Sequence, residues 1–268
     1  MTDAPASTLC ASLVSHGQGV QAWALLQRLA VLPGWKPQRV VLTLNVPEPE
    51  LAAQVRAAAW PFDVQVLENP APLGFGANHN QAFAHDSALG ASDFFAVLNP
   101  DIAWEEGGNP NPFAAMRCAL ESTPQAGLAY PLQRDAEGNL QDSERLAPSP
   151  ARLLRRYAPL GRRVEVAAGV APEWVNAACI LLPRAAYAQL GGFDEGFRMY
   201  GEDVDLCLRL QLAGWRMVRA GDARITHTAA RASHRNARHF FWHVQSLWRL
   251  WRSPVWAQWM QRMRQTQR

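Results

Sequence analysis

The sequence predicts an α/β fold: a mostly parallel, Rossmann-like central sheet flanked by helices, followed by a C-terminal helical tail. Three observations predict it. Short apolar runs alternate with helix-spaced segments through the first hundred residues, the pattern of strands joined by crossover helices. At 268 residues, 49% hydrophobic and 18% charged, the chain is long and apolar enough to bury a core without disulfides or metals as staples. The last forty residues then change character, becoming basic, acid-free and rich in tryptophan.

Leu9 to Val14 is the first strand, closed by Ser15-His16-Gly17, and Val20 to Leu32 carries apolar residues at helical spacing. Arg39 to Leu44 is the second strand. Glu48 to Trp60 is the next helix, with Pro49 suited to its first turn. Phe62 to Leu67 is a third strand, Gly76 to Leu89 a helix, and Asp93 to Leu98 a fourth strand that stops abruptly at Asn99-Pro100-Asp101. Glu105 to Pro172 is less periodic, with short strands around Gly127 to Leu132. Trp174 to Leu182 reads as one strand, and Gly201 to Gly214 as a turn and a compact helix. Arg216 to Val218 and Ala223 to Thr226 read as short extended pieces. In such sheets ligands bind where loops leave the carboxyl ends of the strands.

Composition narrows the class. Cys10, Cys118, Cys179 and Cys207 are scattered without a CxxC pair, which speaks for reduced thiols rather than a zinc site or a disulfide scaffold. No run of eighteen apolar residues spans a membrane, and Met1 to Ala6 lacks a signal-peptide layout, so a cytoplasmic location is expected. From Ala229 to Arg268 there are eight arginines and no acid, a local +8 that leaves the other 228 residues at −5 within a chain total of +3. An acidic body with a basic tail points to an anionic surface as a partner of the tail.

Three clusters carry chemistry. In Asn69-Pro-Ala-Pro-Leu-Gly-Phe-Gly-Ala-Asn-His-Asn-Gln81, Gly74 and Gly76 allow close backbone approach, and the amides of Asn78, Asn80 and Gln81 donate and accept. A turn capping the next helix explains the same residues. In Leu98-Asn99-Pro100-Asp101, the Asp101 carboxylate at a strand end suits a divalent cation that also grips phosphate, while Asn-Pro-Asp is also ordinary turn chemistry. In the segment from Gly191 to Leu210, Glu202 and Asp203 stand where Gly201 gives way to a helix. The helix dipole stabilises a carboxylate there, as proton acceptor or as cap. Asp205 and Arg209 make a helix-face pair.

Taken in order and at these intervals, the clusters resemble the family 2 glycosyltransferases of the GT-A fold, most closely their bacterial rhamnosyltransferase-like branch. The likeness rests on Gly-Phe-Gly…Asn-His-Asn, on Leu-Asn-Pro-Asp, and on Gly-Gly-Phe-Asp-Glu…Tyr-Gly-Glu-Asp-Val-Asp-Leu-Cys-Leu-Arg. Ala213-Gly-Trp215 and His227 match too, over roughly Leu9 to Ser253. The resemblance implies a GT-A domain over 7–228 with a tail over 229–268. It implies an inverting, metal-dependent hexosyltransferase moving a sugar from a nucleotide-diphosphate donor to a glycan or lipid-linked acceptor, in surface polysaccharide biosynthesis. It implies Asp203 as the general base and Glu202 as its neighbour at the acceptor. Asp101 and His227 would be ligands for Mn or Mg, Asn99 replacing the first aspartate of the usual Asp-x-Asp. Ser15, His16, Asn45, Gly74, Asn78, Asn80, Asn99 and Asp101 would line the nucleotide sugar. Trp174 would stack on an acceptor sugar, or lie in the core.

Five of the eleven tryptophans fall in the last 27 residues. Phe240, Phe241, Val244, Leu247, Trp248 and Trp251 form one helical stripe; Val255, Trp256, Trp259, Met260 and Met263 form a second, beyond Ser253-Pro254. Aromatic and basic residues together suit an interfacial helix on an anionic membrane, and packing on the body is the other reading. Three other functions are measured against the same residues by what each would require. A nucleotidyltransferase would carry a cationic glycine-rich loop after the first strand, absent from Ser15 to Val20. A catalytically silent relative would accord with Asn45 and Asn99. A nucleic-acid-binding module is disfavoured because the basic excess is confined to the tail.

Overall fold

Alternation along the strands decides the two faces of the sheet. In β1 (Leu9–Ser15), Leu9, Ala11 and Leu13 enter one core while Cys10 enters the other. In β2 (Arg39–Leu44), Val40, Leu42 and Leu44 part from Val41 in the same way. The computed structural model describes residues 7–104, 110–157, 166, 170–228 and 237–266. The first core is closed by α1 (Gly19–Ala30), α2 (Pro49–Ala57) and α4 (Pro112–Ser122). The second is closed by α3 (Phe75–Ala88), α6 (Arg184–Leu190) and α7 (Glu202–Leu212).

The main sheet has eight strands. Beyond β1 and β2 they are β3 (Asp63–Glu68), β4 (Phe94–Leu98), β5 (Ile102–Trp104), β6 (Ala126–Arg134), β9 (Cys179–Pro183) and β10 (Arg216–His227), in the order β3-β2-β1-β4-β9-β6-β10-β5. The β3-β2-β1-β4 half is parallel. β9 runs antiparallel between β4 and β6, and β5 antiparallel against β10, so the sheet is mixed. The strand expected over Trp174 to Leu182 is two. β8 (Trp174–Val175) pairs with β7 (Glu144–Arg145) in a separate ribbon, and β9 joins the main sheet. Asn176 still donates its backbone N–H to the Ser143 carbonyl, in register with β7, and a turn at Ala177 and Ala178 then redirects the chain to β4 and β6. The two extended pieces expected between Arg216 and Thr226 are conversely one strand, β10, irregular between Ala220 and Arg224.

The tail forms α8 (Ala237–Arg252) and α9 (Pro254–Thr266). The boundary expected at 229, and the side chain of Phe240, lie outside the described residues. The stripe of α9 is turned inward: Trp259 is 4% exposed, and Val255, Trp256, Met260 and Met263 pack against the second core. The expected stripe of α8 is turned outward: Phe241, Val244 and Trp248 stand 64%, 47% and 54% exposed and Leu247 and Trp251 are half-buried, while the fully buried residue of the helix is Leu250, off that stripe. Among the described residues no helix is long and apolar enough to cross a membrane.

Candidate active site

Strand register brings Asp101 and His227 together. In the antiparallel pairing of β5 with β10, Ile102 lies opposite His227, so the residue before Ile102 meets the end of β10. Thr228 ties that corner, donating its backbone N–H to the Asp101 carbonyl at 3.2 Å. Asp101 Oδ1 stands 3.4 Å from His227 Nε2, and the Asn99 amide nitrogen approaches the same ring nitrogen at 3.4 Å. Gln141 grips the histidine at two points: its Nε2 donates to the His227 carbonyl at 2.6 Å, and its Oε1 faces Nδ1 at 3.3 Å. This network assigns the proton to Nδ1 and turns the Nε2 lone pair toward Asp101. Two acceptor atoms facing each other can hold a cation, and the Gln141 amide fixes the imidazole from its far side. Among the described residues no cluster of three or more His, Cys, Asp or Glu side chains occurs. Asp101 and His227 are two side chains that could hold a cation between them, with neutral Asn99 beside them.

At the carboxyl ends of β1 and β2 the sequence-predicted residues divide into two kinds. Asn45, Asn69 and Asn78 form a buried amide chain: Asn69 Nδ2 donates to Asn45 Oδ1 at 2.9 Å and to Asn78 Oδ1 at 2.6 Å. Asn45 also holds the backbone of Leu73 from both sides and donates toward His16 Nδ1 at 3.1 Å. Direct nucleotide contact by Asn78 is ruled out by its complete burial; its amide closes on the Gly74 carbonyl at 2.9 Å. Asn80 is likewise spent, accepting from Tyr187 Oη and Phe193 N and donating to Phe193 O and Glu195. Ser15 is fully buried and its hydroxyl accepts from Gln18 N at 3.1 Å, so it shapes the turn rather than the ligand. His16 alone of these side chains is exposed. Gly74 has a packing reason: a Cβ there would lie 2.8 Å from the Arg198 carbonyl oxygen. His79 belongs to the core, paired with Ser12 Oγ at 2.7 Å, and burial pushes its imidazole down to about 3, so it is neutral.

The third cluster sits on a turn under tension. Tyr200 and Gly201 both have positive φ, +70° and +86°; the glycine takes it without strain, and the tyrosine does so at a cost. The turn delivers Glu202 and Asp203 to the first turn of α7. Glu202 is 6% exposed and its Oε2 is buried without a hydrogen-bond partner. Burial, and then the Asp203 charge, raise its carboxyl well above the usual range. Asp203 is half-buried and its Oδ1 accepts from Val204 N at 2.9 Å. Burial raises it too, but that backbone bond and the Arg145 guanidinium pull it back. Both carboxyls are thus raised, Glu202 the more strongly, because the Asp203 charge adds to burial there while the Arg145 guanidinium favours the Asp203 anion. Trp174 is a core residue, 8% exposed, donating to the Leu146 carbonyl with the Arg145 guanidinium 5.1 Å from its ring centroid, so no face is left for a sugar.

Gln141, Arg145 and His243 were not legible in the sequence. The first two lie in the irregular region, where no periodicity marks them. His243, on α8, meets the Tyr200 ring edge-on at 5.1 Å and has a buried Nδ1 without a partner. Asp205 and Arg209 pair as expected, at 2.7 Å, with Asp205 buried rather than on the surface.

No protein-family model matches the chain. Among curated proteins it is 33% identical over 226 residues to the N-acetylglucosaminyl-diphospho-decaprenol L-rhamnosyltransferase of Mycobacterium tuberculosis, covering 72% of this chain and 71% of the relative. It is 29% identical over 191 residues to the rhamnosyltransferase WbbL of Escherichia coli, covering 66% and 69%. Among solved structures, the mannosyltransferase PcManGT of Pyrobaculum calidifontis, in complex with GDP-Man and Mn2+, matches 90% of the chain with a TM-score of 0.59 at 15% identity. The chain spans 64% of that protein, and the likeness is one of fold.

Proposed function

The chain belongs to the rhamnosyltransferase-like family 2 glycosyltransferases of the GT-A fold, a glycosyltransferase of polysaccharide biosynthesis, and on that premise we propose that it moves L-rhamnose from a nucleoside-diphosphate donor to a hydroxyl of a lipid-diphosphate-linked sugar, with inversion. The observation that carries this reading is the pair Asp101–His227, held with lone pairs converging at the carboxyl end of β4. Oxygen and imidazole ligands in that number suit Mg2+ or Mn2+ completed by phosphate oxygens and water. Bound there, the cation supplies charge neutralisation for the departing nucleoside diphosphate. The mannosyltransferase of like fold is in complex with GDP-Man and Mn2+, which supports a divalent cation beside a nucleotide sugar in this fold.

The chain's own residues do the rest. His16, fixed through Asn45, faces the donor crevice. Asp203 accepts the proton of the attacking hydroxyl as its oxygen bonds the anomeric carbon and the bond to the diphosphate breaks. Glu202 keeps its proton and so preserves Asp203 as the charged member of the pair. A single displacement from the opposite face inverts the anomeric centre. The exposed Phe241, Val244 and Trp248 support adsorption of α8 to a bilayer through its apolar strip, on the cytoplasmic side where nucleotide sugars are consumed.

Incubation with nucleoside-diphosphate L-rhamnose, an N-acetylglucosaminyl-diphosphoprenol acceptor and Mn2+, followed by NMR of the product, tests the proposal. A new glycoside of opposite anomeric configuration is expected. Retention would overturn the single displacement, and no transfer from any nucleoside-diphosphate sugar would overturn the function.

A further inference from the structure

Beside the catalytic turn, α7 and α8 enclose a groove of about 980 Å³, closed at one end by the 193–198 loop. Four guanidinium groups line it. Two are neutralised: Arg209 holds Asp205 at 2.7 Å, and Arg249 holds both oxygens of Asp194 at 2.9 Å. The other two, Arg198 and Arg252, meet no carboxylate among the described residues. Each lies against a tryptophan of α8, Arg198 at 5.4 Å from the Trp242 centroid and Arg252 at 4.1 Å from that of Trp248. Trp248 is 54% exposed, and Val244 and Phe241 continue its apolar strip one and two turns away along α8.

Two uncompensated guanidinium groups in a recess call for an anion that takes planar, paired donors, which phosphate oxygens do. The apolar strip that leaves the groove at Trp248 and runs along α8 calls for a hydrocarbon chain on that anion. We propose that this groove binds the diphosphate and first isoprenoid units of a prenyl-diphosphate-linked acceptor. The proposal rests on the transferase reading above and locates its acceptor. Placement agrees with the chemistry: Asp205 and Arg209 come from the helix whose first turn carries Glu202 and Asp203. Only residues 199–201 separate Arg198 from Glu202 in the chain. A recess, rather than a convex basic face, selects a discrete head group over a bilayer surface.

Titration calorimetry of the full chain with farnesyl diphosphate, without divalent cation so that Asp101 and His227 recruit no phosphate, is the test. Inorganic pyrophosphate and phosphatidylglycerol vesicles are the parallel probes. Farnesyl diphosphate should bind, pyrophosphate more weakly, and Arg198→Gln/Arg252→Gln should weaken the former about tenfold or more. Binding of a nucleoside diphosphate with Mn2+ should be unchanged in the same variant, which shows it folded. Equal farnesyl diphosphate affinity in wild type and variant would overturn the site. So would a variant that loses only vesicle binding, since the arginines would then serve a bilayer. Absence of sugar transfer with farnesyl diphosphate binding intact would instead refute the transferase reading and leave the groove standing.

Discussion

The Ser246 hydroxyl on α8 donates to the Met199 carbonyl at 2.9 Å, tying the tail to the turn that presents Glu202 and Asp203. Arg249 reaches Asp194 and Trp251 reaches the Pro148 carbonyl from the same helix, so the tail is built into the catalytic body. Its tryptophans accordingly have opposite duties. Trp259→Ala should cost about 3–5 kcal/mol, because it opens a cavity in the second core. Trp248→Ala should change stability by no more than about 0.5 kcal/mol, yet reduce flotation with anionic vesicles. Thermal melts and flotation read both. Removing Pro254 to Arg268 would uncover the core rather than merely release the chain from lipid.

Asp203→Asn should lower the rate of transfer by about 10²–10⁴-fold while leaving donor affinity and melting temperature nearly unchanged. In the wild type the acid limb of kcat/KM should fall above the ordinary aspartate range, since burial raises the Asp203 carboxyl and the base must be ionised. A limb at the ordinary aspartate value, or an active Asp203→Asn variant, would remove Asp203 from the chemistry.

Glu202 predicts a stability profile. Its carboxyl titrates higher in the fold than in the unfolded chain, so the fold binds that proton more tightly. The resulting stability is complete below the ordinary glutamate value and drains away as pH rises toward the raised one. Glu202→Gln has no charge to bury. It should melt with the wild type near pH 4 and above it at pH 9, by about 2–4 °C for each kcal/mol recovered. Parallel melting curves at both pH values would refute the buried acid.

Gln141→Leu should weaken Mn2+-dependent donor binding by about 10–100-fold, the usual effect of removing a partner that orients a ligating histidine. Asp101→Ala should weaken it further. Calorimetric titration of the donor with and without Mn2+ measures both, and equal affinity in all three proteins would remove the metal from this corner.

The sequence by itself determined the strand–helix alternation of the first hundred residues, the helix after Gly201, and the family, because those depend on local periodicity and on contiguous motifs. It also put Asp101, His227, Glu202 and Asp203 at ends of elements, where the structure has them. Tertiary structure decided what the amides do. Asn78 and Asn80 look alike in sequence, yet both are consumed in holding loops, since a buried amide must find partners wherever the fold supplies them. It decided that Trp174 is core and that β8 and β9 are separate strands, because pairing partners come from distant segments. It decided, too, which tail stripe faces inward. Two amphipathic helices of similar composition differ only in what stands opposite them, and that is the second core for α9 and an arginine-lined groove for part of α8.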